Sequence, residues 1–457
     1  MPLEVSQDRA SSLSYFDGQR VSTSVVRFFT LVTLGIFFDS FDLANFGYTA
    51  PAITKFWSLG MSWVGRTNAL GSIGWMLGAL ISGWFCDKAG RKKAFLAAAT
   101  CYGVMTILCG LAPSPTFFMW CRFVTMMGTM GLSVVAMVYL AEMAPADKRG
   151  KLQLRSVGLA MTAVPLSGFF ARWIVTFGPE GWRWQYYLGG VFALVVVILV
   201  YLRCPESPRW LVSKGRGDEA KTVLQKMLPG VTIDPAAVAA AATERRKTER
   251  LGTLKAMKTM WNSFYRVRTI LLVLMGIAVS NTASTIQLMM PTLFKARGLS
   301  MGNAILIVSL MAWGAPVGVS LASLFLDKGA RKIPLAVNGI ATAVLLTILG
   351  FISGFLPMAF VGLLANLCNP IYYFSCQVYT TESYATNLRS TATGVVMGAS
   401  RLATAVWMIY IAAMYNAWGF SGFLAFTGAC LFVVQIGLLL FGHQTSRRSL
   451  EAISGER

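Results

Sequence analysis

Phe38-Asp39-Ser40-Phe41-Asp42-Leu43-Ala44-Asn45-Phe46-Gly47-Tyr48 sets two carboxylates inside an apolar stretch that runs from about Val26 to Ile53. A helix of that length crosses a bilayer. Charge is costly at that depth, so both acids must face a protein interior or a water-filled path rather than lipid. The other seventeen acids all fall in loops, tails or the ends of apolar segments.

The whole composition agrees with that one stretch. Of 457 residues 55% are hydrophobic and only 13% are charged, and the mean hydropathy is +0.60. A water-soluble chain of this length needs far more polar surface, so a polytopic membrane protein is expected. The net charge of +21 does not call for nucleic acid, because of where the basic residues lie. All but eight of the 40 Lys and Arg fall in segments that share one side of the membrane if the N-terminus is inside. The eight are Lys55, Arg66, Arg122, Arg172, Arg183, Lys295, Arg297 and Arg401. Positive-inside asymmetry then sets both termini on the cytoplasmic face of the cell inner membrane. The eight cysteines are scattered without a CxxC pair, which gives neither a disulfide framework nor a zinc site. His443 is the one histidine, so a histidine proton relay is not expected. Residues 1–25 are polar and of mixed charge, and read as a cytoplasmic tail rather than a signal peptide.

Twelve apolar segments follow one another at about 26–50, 66–86, 94–112, 116–141, 155–177, 184–203, 268–293, 303–326, 334–353, 357–381, 391–416 and 420–442. Each is long enough to span at about 1.5 Å per residue. A long charged loop, 204–265, divides them six and six, and within it Gly217–Leu228 and Pro235–Met260 read as surface helices. The two sets repeat. Asp87-Lys88-x-x-Arg91-Lys92 returns as Asp327-Lys328-x-x-Arg331-Lys332, Glu142 with Arg149 returns as Glu382 with Arg389, and Pro51 returns as Pro291, all at an offset of 240. One shared offset means two parallel copies. The expected fold is an all-α membrane protein of twelve transmembrane helices in two pseudo-symmetric six-helix bundles. The bundles are 26–203 and 266–442, with the central loop at 204–265 and tails at 1–25 and 443–457.

Gly83-x-x-x-Asp87-Lys88-x-Gly90-Arg91-Lys92-Lys93, between the second and third segments, resembles the signature loop of the major facilitator superfamily. The resemblance covers nearly the whole chain. It implies a cytoplasmic gate, a charged latch between the halves, formed by Asp87, Arg91, Glu142 and Arg149 and by the second copy, Asp327, Arg331, Glu382 and Arg389. That second copy departs from the pattern, with Ser323 where its first glycine belongs. Arg122-x5-Gly128-x-x-Gly131 with Glu142-x-x-Pro145-x-x-x-Arg149-Gly150, and Pro205-Glu206-Ser207-Pro208-Arg209-Trp210-Leu211, are similar to the sugar-porter-like branch. Ser280-Asn281-Thr282-Ala283-Ser284-Thr285-Ile286-Gln287 lacks the paired glutamines of the sugar porters themselves. Asp39-Ser40-Phe41-Asp42 instead resembles the D-G-[FY]-D pattern of aromatic-acid:proton symporters, with Ser40 for glycine. Pro291-Thr292-Leu293-Phe294, Gly298-Leu299-Ser300 and Gly398-Ala399-Ser400-Arg401 resemble that family and the nicotinate-type carriers.

Counting from the outer segment ends sets Asp42 at a depth of roughly 12 Å and Arg122 at roughly 9 Å, so the two share a level. Proton-coupled sugar porters pair an acid of the first span with an arginine of the fourth, and the resemblance carries that role to Asp42 and Arg122. A fixed structural ion pair is the alternative. Asp39 lies one turn from Asp42, and two carboxylates that close do not both ionise cheaply in a low dielectric. The expected proton-coupling set is therefore Asp39, Asp42 and Arg122. Which acid carries the proton is open at this point, with Asp42 favoured. Arg401 falls near mid-membrane, where a cation marks function by default. Its planar guanidinium suits a substrate carboxylate, the alternative being backbone carbonyls or Glu382. Arg172 is expected to snorkel at a span end. Asn45, Tyr48, Asn281, Gln287, Asn366, Tyr373, Gln377 and Trp407 complete the expected binding set with Arg401, each with side-chain packing as its alternative. Asn369-Pro370 is an expected kink.

The reading is a secondary transporter for proton-coupled uptake of a small aromatic or heteroaromatic carboxylate. Its partners are the substrate, protons and lipid, with a monomer expected and no nucleic acid. No metal, nucleophile or cofactor constellation appears, and neither a cofactor nor an enzymatic activity is expected. A sugar or polyol symporter, a metabolite or drug exporter, and a nutrient sensor stay open beside it.

Overall fold

The computed structural model describes residues 22–144, 149–227, 253–325, 332–384 and 388–442. Eleven helices among these are long and apolar enough to cross a membrane. They are α1 (Thr23–Phe56), α2 (Met61–Ala89), α3 (Arg91–Gly110), α4 (Pro115–Glu142), α5 (Leu152–Phe177), α6 (Trp182–Arg203), α7 (Tyr265–Ala296), α8 (Met301–Ala322), α9 (Lys332–Phe351), α10 (Phe355–Glu382) and α11 (Thr391–Phe441). In hydrocarbon every backbone N–H must find its partner within the segment, which leaves helix as the one choice for such stretches outside a barrel. Their starts are written locally. Ser114 accepts from the Phe117 amide at 3.3 Å with Pro115 in the first turn, and Ser300 accepts from the Asn303 amide at 3.3 Å.

The 51 residues of α11 would reach about 77 Å as one rod, against a hydrocarbon core of about 30 Å. The chain instead reverses at Gly419, whose φ of 65° suits a residue without Cβ. Trp407 stacks on Phe426 with ring centroids 6.1 Å apart, where a straight helix would separate the two by about 28 Å. The reversal falls between the eleventh and twelfth apolar segments. Proline disturbs α7 as well. Pro291 has no N–H to offer the carbonyl of Gln287, and the helix widens to a π turn over Thr285–Met289. In the central loop, helices cover Gly217–Met227 and Thr253–Met260. The rest of the second expected surface helix lies outside the described residues, as do most of the N-terminal tail and all of 443–457.

Helices α1–α6 pack chiefly on one another, and α7–α11 do the same. The two groups meet where α1 touches α7, α2 touches α11 and α5 touches α8. Their buried cores are not alike at the two ends of the helices. At one end a single cluster joins Phe46, Tyr48 and Trp182 of the first group to Met289, Phe294 and Met408 of the second. At the other end there are two clusters, one around Phe28, Phe95 and Tyr139, the other around Met275, Tyr372 and Tyr379. Among the described residues the buried apolar core therefore runs across the group boundary at the tryptophan-rich end and is divided in two at the end that carries Arg91 and Glu142, where α5 still touches α8. Large apolar side chains such as Leu80, Trp84, Trp120 and Leu440 stand exposed on the flanks, a surface that hydrocarbon accepts and water penalises.

Candidate functional site

A cavity of about 560 Å³ lies between the two groups, with walls from α1, α2, α4, α5, α7, α8, α10 and α11. Most of its lining is apolar. Its charged side chains are Asp39 and Arg122 on one wall and Arg401 on the other, with the amides of Asn68, Gln287, Asn369 and Gln377 between them.

Asp42 lies just behind the first wall, fully buried and saturated with donors. Arg122 Nη1 donates to its Oδ2 at 2.8 Å, Thr106 Oγ1 to its Oδ1 at 2.9 Å, and Asn45 Nδ2 to the same oxygen at 3.4 Å. Arg122 also covers the Phe46 ring at 5.9 Å. An ion pair buried this deeply offsets its desolvation cost only with good geometry and extra hydrogen bonds, and this one has both. Asp39, one turn away, lines the cavity itself. Ser133 donates to its Oδ2 at 2.6 Å, and its other oxygen is buried with no protein partner.

On the opposite wall the Arg401 guanidinium carbon sits 3.5 Å from the centroid of the Trp75 ring, across the group boundary. Its other polar contact is the side chain of Tyr373. Among the described residues no carboxylate pairs with it. Tyr373, Gln377 and Gln287 share the lining with Arg401, and Gln287 rides on the π turn of α7.

Five expected binding residues do not line the cavity. Asn45 turns into the first group, where its side-chain oxygen accepts from Ser167 at 3.0 Å and Gln185 at 2.9 Å. Tyr48 packs against Gly168 and bonds Ser309 at the sealed end. Asn281 accepts from Thr404 at 3.1 Å and so ties α7 to the turn of α11 that follows Arg401. Trp407 donates to Thr285 at 3.1 Å and stacks on Phe426. Asn366 is buried in the α10 face that meets Gly314 of α8. Each lies on an expected helix but on a face that packs on neighbouring helices. Arg172 does more than snorkel, because its Nη1 donates to the Gly302 carbonyl at 2.6 Å, from α5 to α8.

Among the described residues the charged cluster at the divided end pairs within one half. Arg91 grips Glu142 with two bonds of 2.9 Å, while Asp87, mostly exposed, stands 3.4 Å from Arg91. Glu206 accepts the backbone amides of Arg91 at 2.8 Å and Lys92 at 3.0 Å, capping α3, and Ser207 donates to Glu142. All these partners belong to α2, α3, α4 and the segment after α6, so the network braces the first group rather than spanning to the second. Among the described residues no α7–α11 side chain bonds to it. Asp327 and Arg331 lie outside the described residues. Arg149 and Arg389 begin helices whose first side chains are likewise undescribed. Glu382 ends α10.

Ser133, Trp75, Gln185, Glu206 and Ser207 are partners that the sequence reading did not single out. The Pro205–Leu211 motif already marked the last two, but only as a likeness. Trp75 had a weak signal, a large ring set between Gly71, Gly74 and Gly78.

The inner membrane metabolite transport protein YdjE of Escherichia coli is 25% identical, over 89% of each chain. The niacin transporter NiaP of Acinetobacter baylyi is 26% identical, over 93% of this chain and 95% of its own. The xylose transporter XylE from E. coli, solved in a partially occluded inward open conformation, superposes with a TM-score of 0.75 at 18% identity, over 94% of this chain and all of the other. That likeness fixes the fold. The family model described as "Sugar (and other) transporter" matches residues 26–456, which takes in both walls of the cavity and the brace beside it. This multi-pass chain therefore belongs to the sugar (and other) transporter family of the major facilitator superfamily, and it is a membrane transporter rather than an enzyme.

Proposed function

We propose that the protein carries a small aromatic or heteroaromatic carboxylate into the cell together with protons, by alternating access. The observation that carries this reading is Arg401. It is a cation in a cavity between the helix groups, without a carboxylate partner among the described residues; Trp75 and Tyr373 contact it, and Phe374 lines the same cavity. Carrying an unpaired cation there is costly, and a substrate carboxylate received in the guanidinium plane offsets that cost. Rings beside it suit a planar cargo. The niacin named for one relative has this chemistry, a ring with a carboxylate. The architecture proposed is twelve spans, counting α11 as two, in six-helix bundles at 26–203 and 266–442. Both termini and the divided end then lie in the cytoplasm.

In this reading the exchangeable proton resides on Asp39. Asp39 lines the cavity and has one buried oxygen without a protein partner, whereas Asp42 is already held by Arg122, Thr106 and Asn45. Asp42 and Arg122 hold α1 to α4 and give Asp39 its place.

The test is uptake of labelled 4-hydroxybenzoate, nicotinate and glucose into proteoliposomes, with and without an inward proton gradient. Accumulation of an aromatic acid that collapses with the gradient, and that Arg401→Gln abolishes, is the expected result. Saturable glucose uptake indifferent to Arg401→Gln would return the chain to the sugar carriers.

A further inference from the structure

We infer that Trp75 is a positioning residue for cargo binding: α2 of the first group lends its indole to orient Arg401 of the second, so the carboxylate site is composite across the group boundary. The inference rests on the reading of Arg401 as the carboxylate ligand.

A guanidinium on a long, flexible stem has many rotamers, and a lone arginine in a wide cavity loses entropy when it binds. Trp75 removes that freedom. A carbon-to-centroid separation of 3.5 Å is van der Waals contact between two flat groups, so the guanidinium lies on the indole face. All five guanidinium N–H donors lie in the plane of the group, so stacking occupies a face and leaves the donor edges for a cargo. A carboxylate binds such an edge with two parallel bonds. The indole is also one of the few groups that stabilises a cation without neutralising it, and a carboxylate in its place would compete with the cargo.

The platform is rigidly mounted. A Cβ at Gly78 would run into the Met127 carbonyl, and one at Gly74 into the Phe123 carbonyl. Helix α2 thus lies backbone to backbone on α4, and Trp75 between those glycines has little play. On the other side, the Thr404–Asn281 bond fixes the turn of α11 just after Arg401. Two helices from different groups, each anchored within its own group, pack on each other here, with Gly65 of α2 against the Met408 backbone of α11, and further along that seam one ring meets one cation.

The test is binding of radiolabelled 4-hydroxybenzoate to the purified full chain, for wild type, Arg401→Gln, Trp75→Leu and Trp75→Phe, with the thermal midpoint of each recorded. Expected is a loss of binding in Arg401→Gln, a Kd raised about tenfold or more in Trp75→Leu, and recovery to within about threefold of wild type in Trp75→Phe, which keeps a ring face. The thermal midpoint of Trp75→Leu should stay near that of wild type. A wild-type Kd in Trp75→Leu, with Arg401→Gln still inactive, overturns this inference and leaves the carboxylate reading standing. So does a Trp75→Leu protein that binds normally but turns over slowly, since the ring would then be a brace only. Unchanged binding in Arg401→Gln, or no binding by wild type, overturns both.

Discussion

Asp39 and Asp42 stand one helical turn apart on α1 and meet opposite surroundings. Asp42 receives Arg122 at 2.8 Å and Thr106 at 2.9 Å and has no exposure, while Asp39, on the cavity lining, receives only Ser133 at 2.6 Å and keeps one buried oxygen without a protein partner. The three-residue spacing makes this possible. It keeps both acids near one face, yet displaces them along the axis by about 4.5 Å, enough for different neighbours on α3 and α4.

Asp39→Asn should therefore uncouple without unfolding. Accumulation of an aromatic acid driven by a pH gradient is expected to fall to the background, while exchange of internal for external substrate persists. Parallel accumulation and counterflow assays in proteoliposomes separate the two. Full accumulation in Asp39→Asn would falsify the assignment.

Asp42→Asn is expected to behave differently, because it strands the Arg122 charge in a buried site. Removing one partner of such a pair costs about 3–5 kcal/mol. Thermal unfolding of the purified protein should show a marked drop for Asp42→Asn, partly recovered when Arg122→Met removes the stranded cation. An unchanged midpoint in the single variant would mean that the pair contributes nothing to the fold.

Glu206→Ala removes the acceptor for two amides at the start of α3. A lost cap of this kind costs about 1–2 kcal/mol. Glu206→Gln keeps one acceptor oxygen and should lose less. Amide exchange over Arg91–Phe95, followed by mass spectrometry, should quicken in that order, alanine before glutamine before wild type.

Gly47→Val should act on the conformational balance. A Cβ on Gly47 would come within 2.6 Å of the Gln287 carbonyl, the group that Pro291 leaves without its helical donor. The sealed end then closes poorly. Ala304→Cys, buried in that end, in a chain whose native cysteines are replaced, should react several-fold faster with an impermeant maleimide when Gly47→Val is added.

How far the sequence could be read follows from what each inference needed. Depth along a helix is linear in residue count, so the shared level of Asp42 and Arg122 could be found by counting, and the structure sets them in contact. Facing is another matter. In helices that are apolar nearly all round, no polar stripe tells which side meets a cavity. Asn45, Asn281 and Trp407 were expected there on residue type alone, and they turn out to bond Gln185, Thr404 and Thr285. The partner of Arg401 was out of reach for a further reason. Trp75 comes from the second apolar segment and Arg401 from the eleventh, and no local pattern records which side chains meet across a boundary between helix groups. The charged motif at Arg91 was visible, but its partners Glu206 and Ser207 come from a loop more than a hundred residues on, and they hold it within one group.

The unequal cores have a calorimetric consequence. Parting the sealed end would bring apolar side chains such as Phe46, Phe294 and Met408 toward water, and hydration of apolar surface raises heat capacity. Joining the divided end would return some of that surface, but among the described residues no apolar cluster there already bridges the groups. The balance between the two access states should then curve with temperature. Cooling weakens the apolar seal and should raise the share of molecules open at the tryptophan-rich end, so transport rates limited by that step are not expected to follow a straight Arrhenius line.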